Sequence, residues 1–241
     1  KETVLTPWRV VNMHMSDTLG GYDFWDEKHE YELDEPRFVD RGKVTADTFS
    51  NISAQILEIN SKTGLYPLYV AYSIYRAKCN KYKTVDLTLE LQRKIWNNTI
   101  QKNVFVICKT PMAKLITQRT LVGYSNQKIN AHYFEDLINQ MENKSKEFVN
   151  KVLNTNYWKK GEHGQMKFDA VVGNPPYQEE TVQQVSATNG QAPRKSIFQY
   201  FQLVSDEISS GVVSLIYPGA RWIHRSGKGM KQFGFNQIND T

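Results

Sequence analysis

Four short apolar runs alternate along this chain with segments of helical spacing, and that alternation limits its folds more than any other feature. Ile56, Leu57 and Ile59 form the first run; residues 103–108, 168–173 and 212–217 form the others. Such runs suit strands covered on both faces, because a strand with one wet face alternates apolar and polar residues. After the first run, Asn60 to Gly64 carry turn chemistry, and Leu65, Leu68, Tyr69, Tyr72 and Tyr75 then recur at helical spacing. Thr110-Pro111 breaks the second run and opens a helix near Met112. Phe134, Leu137, Ile138, Met141, Phe148, Val149 and Val152 trace one face of a helix over 134–153, and "SIFQYFQLVSDEI" reads as a helix before the last run. Strands alternating with helices predict an α/β fold built on a doubly wound, mostly parallel sheet.

A length of 241 residues allows one α/β domain or two small ones with a sizeable core. No apolar run reaches the roughly 18 residues that cross a bilayer, and Lys1-Glu2-Thr3 opens no secretory signal, so no membrane partner is expected. Without an initiator Met, and with a last stretch Asn239-Asp240-Thr241 that marks no clear stop, the sequence reads as a piece of a longer protein. Cys79 and Cys108 are the two cysteines, which fits a reducing cytosol and a cytoplasmic location. Two thiols without a second ligand pair, and five histidines without metal spacing, predict no metal site. Charge is unevenly spread. Residues 17–40 hold nine acids against Lys28 and Arg37, so the rest of a +5 chain carries +12. A basic body suits a phosphate backbone as partner, although a solvated basic surface explains the charge equally well.

"FDAVVGNPPYQEE", residues 168–180, holds the most informative turn. Its apolar start predicts a buried strand, and Pro175 and Pro176 place the turn after it outside the hydrogen-bonded sheet, because proline donates nothing to a ladder. Turns at the carboxyl ends of strands are where open α/β sheets bind ligands. Asn174 and Tyr177 flank the two prolines. The plain alternative is an exit turn in which Asn174 caps and the prolines stiffen.

"NPPY" after an apolar strand resembles the catalytic motif of adenine-N6-specific DNA methyltransferases, and by average composition it arises by chance in about one chain per thousand of this size. Further stretches fall in the order of the class whose cofactor motifs precede the catalytic one. "TPWRVVNMHM", with Thr6 and Pro7, resembles the segment packed over the methionine part of S-adenosylmethionine. "LEINSKTGLY" resembles the first cofactor loop, with Glu58, Gly64 and Tyr66 in register and Asn60 between them. "NVFVICKTP" resembles the next strand, and "VVSLIYPGARW" a later strand ending in a proline turn. Together they resemble the methylase of an Eco57I-type restriction-modification protein.

That resemblance implies a Rossmann-like, S-adenosylmethionine-dependent core over residues 46–241, truncated at its C-terminus, with the target-recognition part absent. Residues 1–45 would form an N-terminal segment carrying the Thr-Pro helix beside the cofactor. It implies methylation of adenine N6 in DNA within a restriction-modification system, with a nuclease or helicase attached or associated. Asn174, Pro175, Pro176 and Tyr177 would be catalytic; Thr6, Pro7, Glu58, Asn60, Gly64 and Tyr66 would meet the cofactor; Trp222, Arg221 and Lys228 would meet the substrate. The bland readings stay open. Thr6-Pro7 is also an ordinary helix start with Thr as N-cap, Glu58 could pair at a strand end, Trp222 could be core, and the basic run from Arg221 to Lys231 could be a solvated face.

Two departures from the family pattern matter. Lys62 replaces the first glycine of the cofactor loop, and Cys108, followed by Lys109, stands where the next strand tip normally bears an acid; Asp86 or Glu90 would have to substitute. They motivate a methylase-like module that binds DNA without methylating it. A third reading keeps the chemistry and changes the substrate, to a protein glutamine amide methylated at N5.

Overall fold

The computed structural model describes residues 5–82, 87–161, 164–178 and 196–218. The chain opens with helix α1 (Trp8–Thr18), an antiparallel ribbon of β1 (Gly21–Trp25) and β2 (Glu32–Val39), and a short helix α2 (Lys43–Asp47) that spans position 45/46. Much of the acidic stretch falls in this ribbon. Most of its carboxylates are exposed, but Asp23 is fully buried, within 2.8 Å of Arg37 Nη2 and 3.0 Å of His29 Nε2. A buried carboxylate needs such partners, since an unpaired charge there costs several kcal/mol.

The alternating part begins with β3 (Ile56–Ser61) and α3 (Leu65–Cys79), then α4 (Leu89–Asn103), β4 (Val104–Cys108), α5 (Pro111–Val122) and β5 (Asn130–Tyr133). Helices α6 (Leu137–Asn143) and α7 (Ser145–Val152) lead to β6 (Phe168–Gly173), and α8 (Phe198–Ile208) to β7 (Ser209–Leu215). The five later strands form one sheet in the order β5-β4-β3-β6-β7, with every neighbouring pair parallel.

The unbroken apolar runs have a direct cause. Side chains alternate across a strand, so each face needs its own cover. Ile56, Val104, Val106, Ala170 and Val172 pack with Val11 and Met15 of α1, Tyr69, Val70 and Ile74 of α3 and Leu121 of α5. Leu57, Ile59, Phe105, Ile107, Phe168 and Val171 face the other way, against Leu137, Met141, Phe148, Val152, Phe201 and Val204. The sheet is therefore doubly wound, as the alternation predicts. From β3 the chain builds outward to β5, then returns to β6 on the other side of β3, which opens a switch point at the carboxyl ends of β3 and β6.

Several expectations are corrected. The apolar face over 134–153 is carried by two helices, because Lys144 leaves the helical region at φ −130° and ψ 31° between α6 and α7. Residue 103 ends α4 instead of opening β4, and the last strand runs over Ser209–Leu215, ahead of the apolar run at 212–217. The pattern of apolar runs does not show the ribbon, α4 or β5. Thr110 does open α5, its hydroxyl accepting from Ala113 N at 3.1 Å. No helix among the described residues is long and apolar enough to cross a membrane.

Gly64 fixes how closely α3 and α5 approach. It caps α3 at φ 78°, and an added Cβ would lie 2.9 Å from Thr117 Cα. Gly64→Ala should lower stability by about 1–3 kcal/mol, since a left-handed non-glycine residue is strained and the neighbour is backbone. A urea midpoint that drops with its slope unchanged is the expected result; an unmoved midpoint would mean that the two helices can part.

Candidate active site

β6 reaches its tip beside β3 only because residue 173 is glycine. Gly173 has φ 149°, and a Cβ there would sit 2.7 Å from the carbonyl oxygen of Ile59. Asn174, Pro175, Pro176 and Tyr177 then leave the sheet, as two prolines require. The half-buried Asn174 donates from Nδ2 to Thr6 Oγ1 at 3.0 Å. Its backbone oxygen accepts from Asn60 Nδ2 at 3.5 Å, the limit for such a bond. Burial raises the Tyr177 phenol above its ordinary pKa, and a hydrogen bond with the Asn174 side chain opposes that shift.

Glu58 and Asn60 stand two residues apart on β3 and line one crevice together with Thr6, Lys62, Tyr66 and Asn174. Asn60 adopts φ 66° at an irregularity between Ile59 and Ser61, where β3 slips against β4. Glu58 is 5% exposed and Asn60 3%. Glu58 Oε2 and Asn60 Oδ1 are both buried without a hydrogen-bond partner. Burial pushes the Glu58 carboxyl up to about 8, against smaller opposing effects of a bond to Ser61 and the charge of Lys62. At neutral pH this group is largely protonated. The crevice is narrow, with a cavity volume of about 10 Å³, room for one water.

A hydrogen-bonded chain fixes the wall of the crevice. Thr18 donates to His14 O at 2.7 Å, so its oxygen accepts from Ser214 Oγ at 2.9 Å. Ser214 in turn lies 2.8 Å from His14 Nε2, and His14 Nδ1 lies 2.8 Å from the Tyr66 hydroxyl. That order leaves Nε2 protonated and Nδ1 accepting from Tyr66. Burial holds His14 down at about 4, with Asp17 opposing, so the ring stays neutral. Tyr66 is raised well above the ordinary phenol range by burial and by Glu58 and Tyr177.

The structure brings Thr6, Glu58, Asn60, Tyr66 and Asn174 together on one crevice, and Pro175, Pro176 and Tyr177 continue from its rim. Pro7 is the exposed N-cap of α1 and Gly64 the N-cap of α3; both stand beside the crevice without lining it. Thr6 is no helix cap: its hydroxyl accepts from Asn174 instead. Arg221, Trp222 and Lys228 lie outside the described residues, as does Asp86. Glu90 pairs with Lys94 at 2.7 Å on an exposed face and does not line the crevice, while Cys108 is wholly buried in the core. Sequence reasoning misses His14 and Gly173. Gly173 has a legible signal, a glycine directly before Asn-Pro-Pro, whereas His14 reads as one more residue of an amphipathic helix. Among the described residues no group of three or more His, Cys, Asp or Glu could hold a metal.

Residues 102–241 match the family model described as Eco57I restriction-modification methylase. The match takes in β4 to β7 and the Asn174–Tyr177 turn, and leaves Thr6, Glu58 and Tyr66 outside it. No curated protein matches the chain.

The buried carboxyl gives a pH signature. The folded state holds the Glu58 proton more tightly than the unfolded chain, whose ordinary value is 4.5. Its stabilising contribution is whole below 4.5 and is lost as pH rises toward about 8. Relative to Glu58→Gln, the native protein should lose on the order of a few kcal/mol across that window. Urea unfolding at several pH values checks this; parallel profiles would place the titration on another group.

Proposed function

Because the chain belongs to the Eco57I restriction-modification methylase family, we propose that it transfers a methyl group from S-adenosylmethionine to adenine N6 in DNA. The observation that carries this reading is the placement of Asn174. Its side chain stands at the switch point of the sheet, tethered by Thr6, beside a crevice with two unsatisfied buried acceptors.

Adenine's exocyclic amine is a poor nucleophile, because its lone pair is delocalised into the ring. Two acceptors aimed at its hydrogens localise that pair on nitrogen. With Nδ2 of Asn174 engaged by Thr6, its Oδ1 serves as one acceptor, and the carbonyl of Pro175, stiffened by the next proline, serves as the other. Tyr177 offers a flat, neutral face for a base turned out of the duplex. No residue has to take a proton before transfer, so positioning supplies much of the rate. The amine gains the methyl group as the donor sulfonium becomes a neutral thioether, and the methylated ammonium then releases its proton to water.

The donor set of the crevice fits the cofactor. Glu58 Oε2 and Asn60 Oδ1 would accept from its ammonium or hydroxyl groups, and ionised Glu58 would balance its positive charge. When bound, S-adenosylmethionine supplies an electrophilic methyl group. Sites for small molecules run to about 300–1,000 Å³, so binding requires the walls of the crevice to part.

The tight crevice, with Lys62 in its wall and no acid at the tip of β4, favours a second reading: a DNA-binding module that has lost catalysis. Calorimetry with S-adenosylmethionine separates the two, since micromolar binding excludes the inert module. For the enzyme, Asn174→Ala should lower tritiated methyl transfer to DNA about 100- to 1,000-fold with the urea midpoint preserved. Undiminished transfer by that variant would refute the mechanism. Labelling of a glutamine peptide in place of DNA would move the chemistry to a protein substrate.

A further inference from the structure

The opposite end of the sheet holds a larger cavity that methyl transfer does not use. Its volume is about 600 Å³, and it lies among the loop before β3, the end of α3 and one face of α4. Gln55 lines it just before β3, and Glu58, three residues on and about 10 Å away at the rise of a strand, is the first residue of β3 to line the crevice. Lys78, Lys81, Lys94, Lys102 and Lys160 line it, and none of its described lining residues is Asp or Glu.

Two of these cations, Lys78 and Lys160, are held in place by neutral groups. Lys78, half-buried, donates to Asn98 Oδ1 at 3.0 Å and Asn103 Oδ1 at 2.6 Å. Asn103 is itself fully buried and anchored by bonds to the carbonyls of Ile52 at 2.9 Å and Ala54 at 2.7 Å. Lys160 donates to the Gln101 carbonyl at 2.7 Å. Burial and the nearby charge of Lys102 pull Lys78 down to about 8, and the same two causes lower Lys160. Lys94 differs, since Glu90 pairs with it at 2.7 Å. Fixed, partly desolvated cations that repel one another make an anion welcome. Tyr82, Leu91 and Ile95 add an apolar wall.

We propose that this cavity is a phosphoanion site, in which Lys78, Lys102 and Lys160 meet a phosphate group of a nucleic-acid backbone or of a free nucleotide. The surface continues beyond it. Gln101 and Lys160 also line a neighbouring cavity of about 410 Å³ at the edge strand β5, with Lys114, Lys128 and Lys159 and the stacked rings of His132 and Tyr157, 3.8 Å apart. A path of cations beside stacked rings suits an extended strand.

Calorimetric titrations with inorganic pyrophosphate, a nucleoside triphosphate and a short DNA duplex test this on the native protein and on Lys102→Gln/Lys160→Gln. Both side chains are exposed, so the variant should fold, and an unchanged urea midpoint verifies it. Saturable pyrophosphate binding is expected, at least tenfold weaker in the double variant and unaffected by Asn174→Ala. Nucleotide binding displaced by pyrophosphate identifies a free ligand. Duplex binding that loses affinity and about two units of salt slope in the double variant identifies a backbone. Absence of saturable pyrophosphate binding, or equal binding by both proteins, overturns the proposal. Intact pyrophosphate binding by Asn174→Ala without methyl transfer keeps this site distinct from the catalytic one.

Discussion

The central strand carries a carboxyl group in the middle of an apolar sheet, and the cost of that burial organises the site around it. Glu58 has one oxygen without a partner and a raised pKa, and Asn60, two residues further on, has an orphaned carbonyl oxygen. A buried acceptor left unmet costs about 1–3 kcal/mol. A sheet tolerates two of them at its tip only if the rest of the strand is heavily stabilised, and here both faces are. The cores on the two sides of β3 hold Ile56 on one and Leu57 and Ile59 on the other, all nearly or wholly buried. Polar atoms held open in this way are a local cost that the packing of the two cores offsets.

How much of this could be read from residues alone depends on how each element is stabilised. β3, β4 and β6 are legible because burial on both faces demands continuous apolar runs. α5 is legible because a threonine cap and a proline start it. β5 is not: its four residues, Asn130 to Tyr133, include a single buried apolar side chain, Ala131, and Asn130 is held by bonds to three carbonyls. α4 escapes notice because its buried face includes Thr99 and Asn103 as well as Ile95 and Ile100. The ribbon reads as a charged stretch until Asp23 finds Arg37 and His29 across it. The Asn-Pro-Pro-Tyr turn could be placed at the rim from its prolines, but its tether could not. A hydrogen bond from residue 174 to residue 6 leaves no local trace.

The two ends of the sheet show opposite electrostatic designs. At the carboxyl ends of β3 and β6, a protonatable acid and neutral amides surround a narrow crevice with one lysine in its wall. At the other end, five lysines surround a wide cavity, one of them, Lys78, held by two asparagine oxygens. The acidic ribbon belongs to neither, so the uneven charge of the sequence resolves into separate surfaces of one fold. Net charge alone conceals that division.

The wall of the crevice is closed by partners from the two ends of the described chain: His14 meets Ser214 across 200 positions and Thr6 meets Asn174 across 168. Contacts of such separation form late, because the intervening loop must close first. During synthesis the first helix leaves the ribosome long before β7 exists. At typical elongation rates it waits on the order of 10–40 s for the strand that completes its hydrogen-bonded chain. A polypeptide that stops just after Tyr177 therefore carries the Asn-Pro-Pro-Tyr turn without Ser214, which completes the hydrogen-bonded wall of the crevice, and ribosomal progress itself decides when that wall first comes into being.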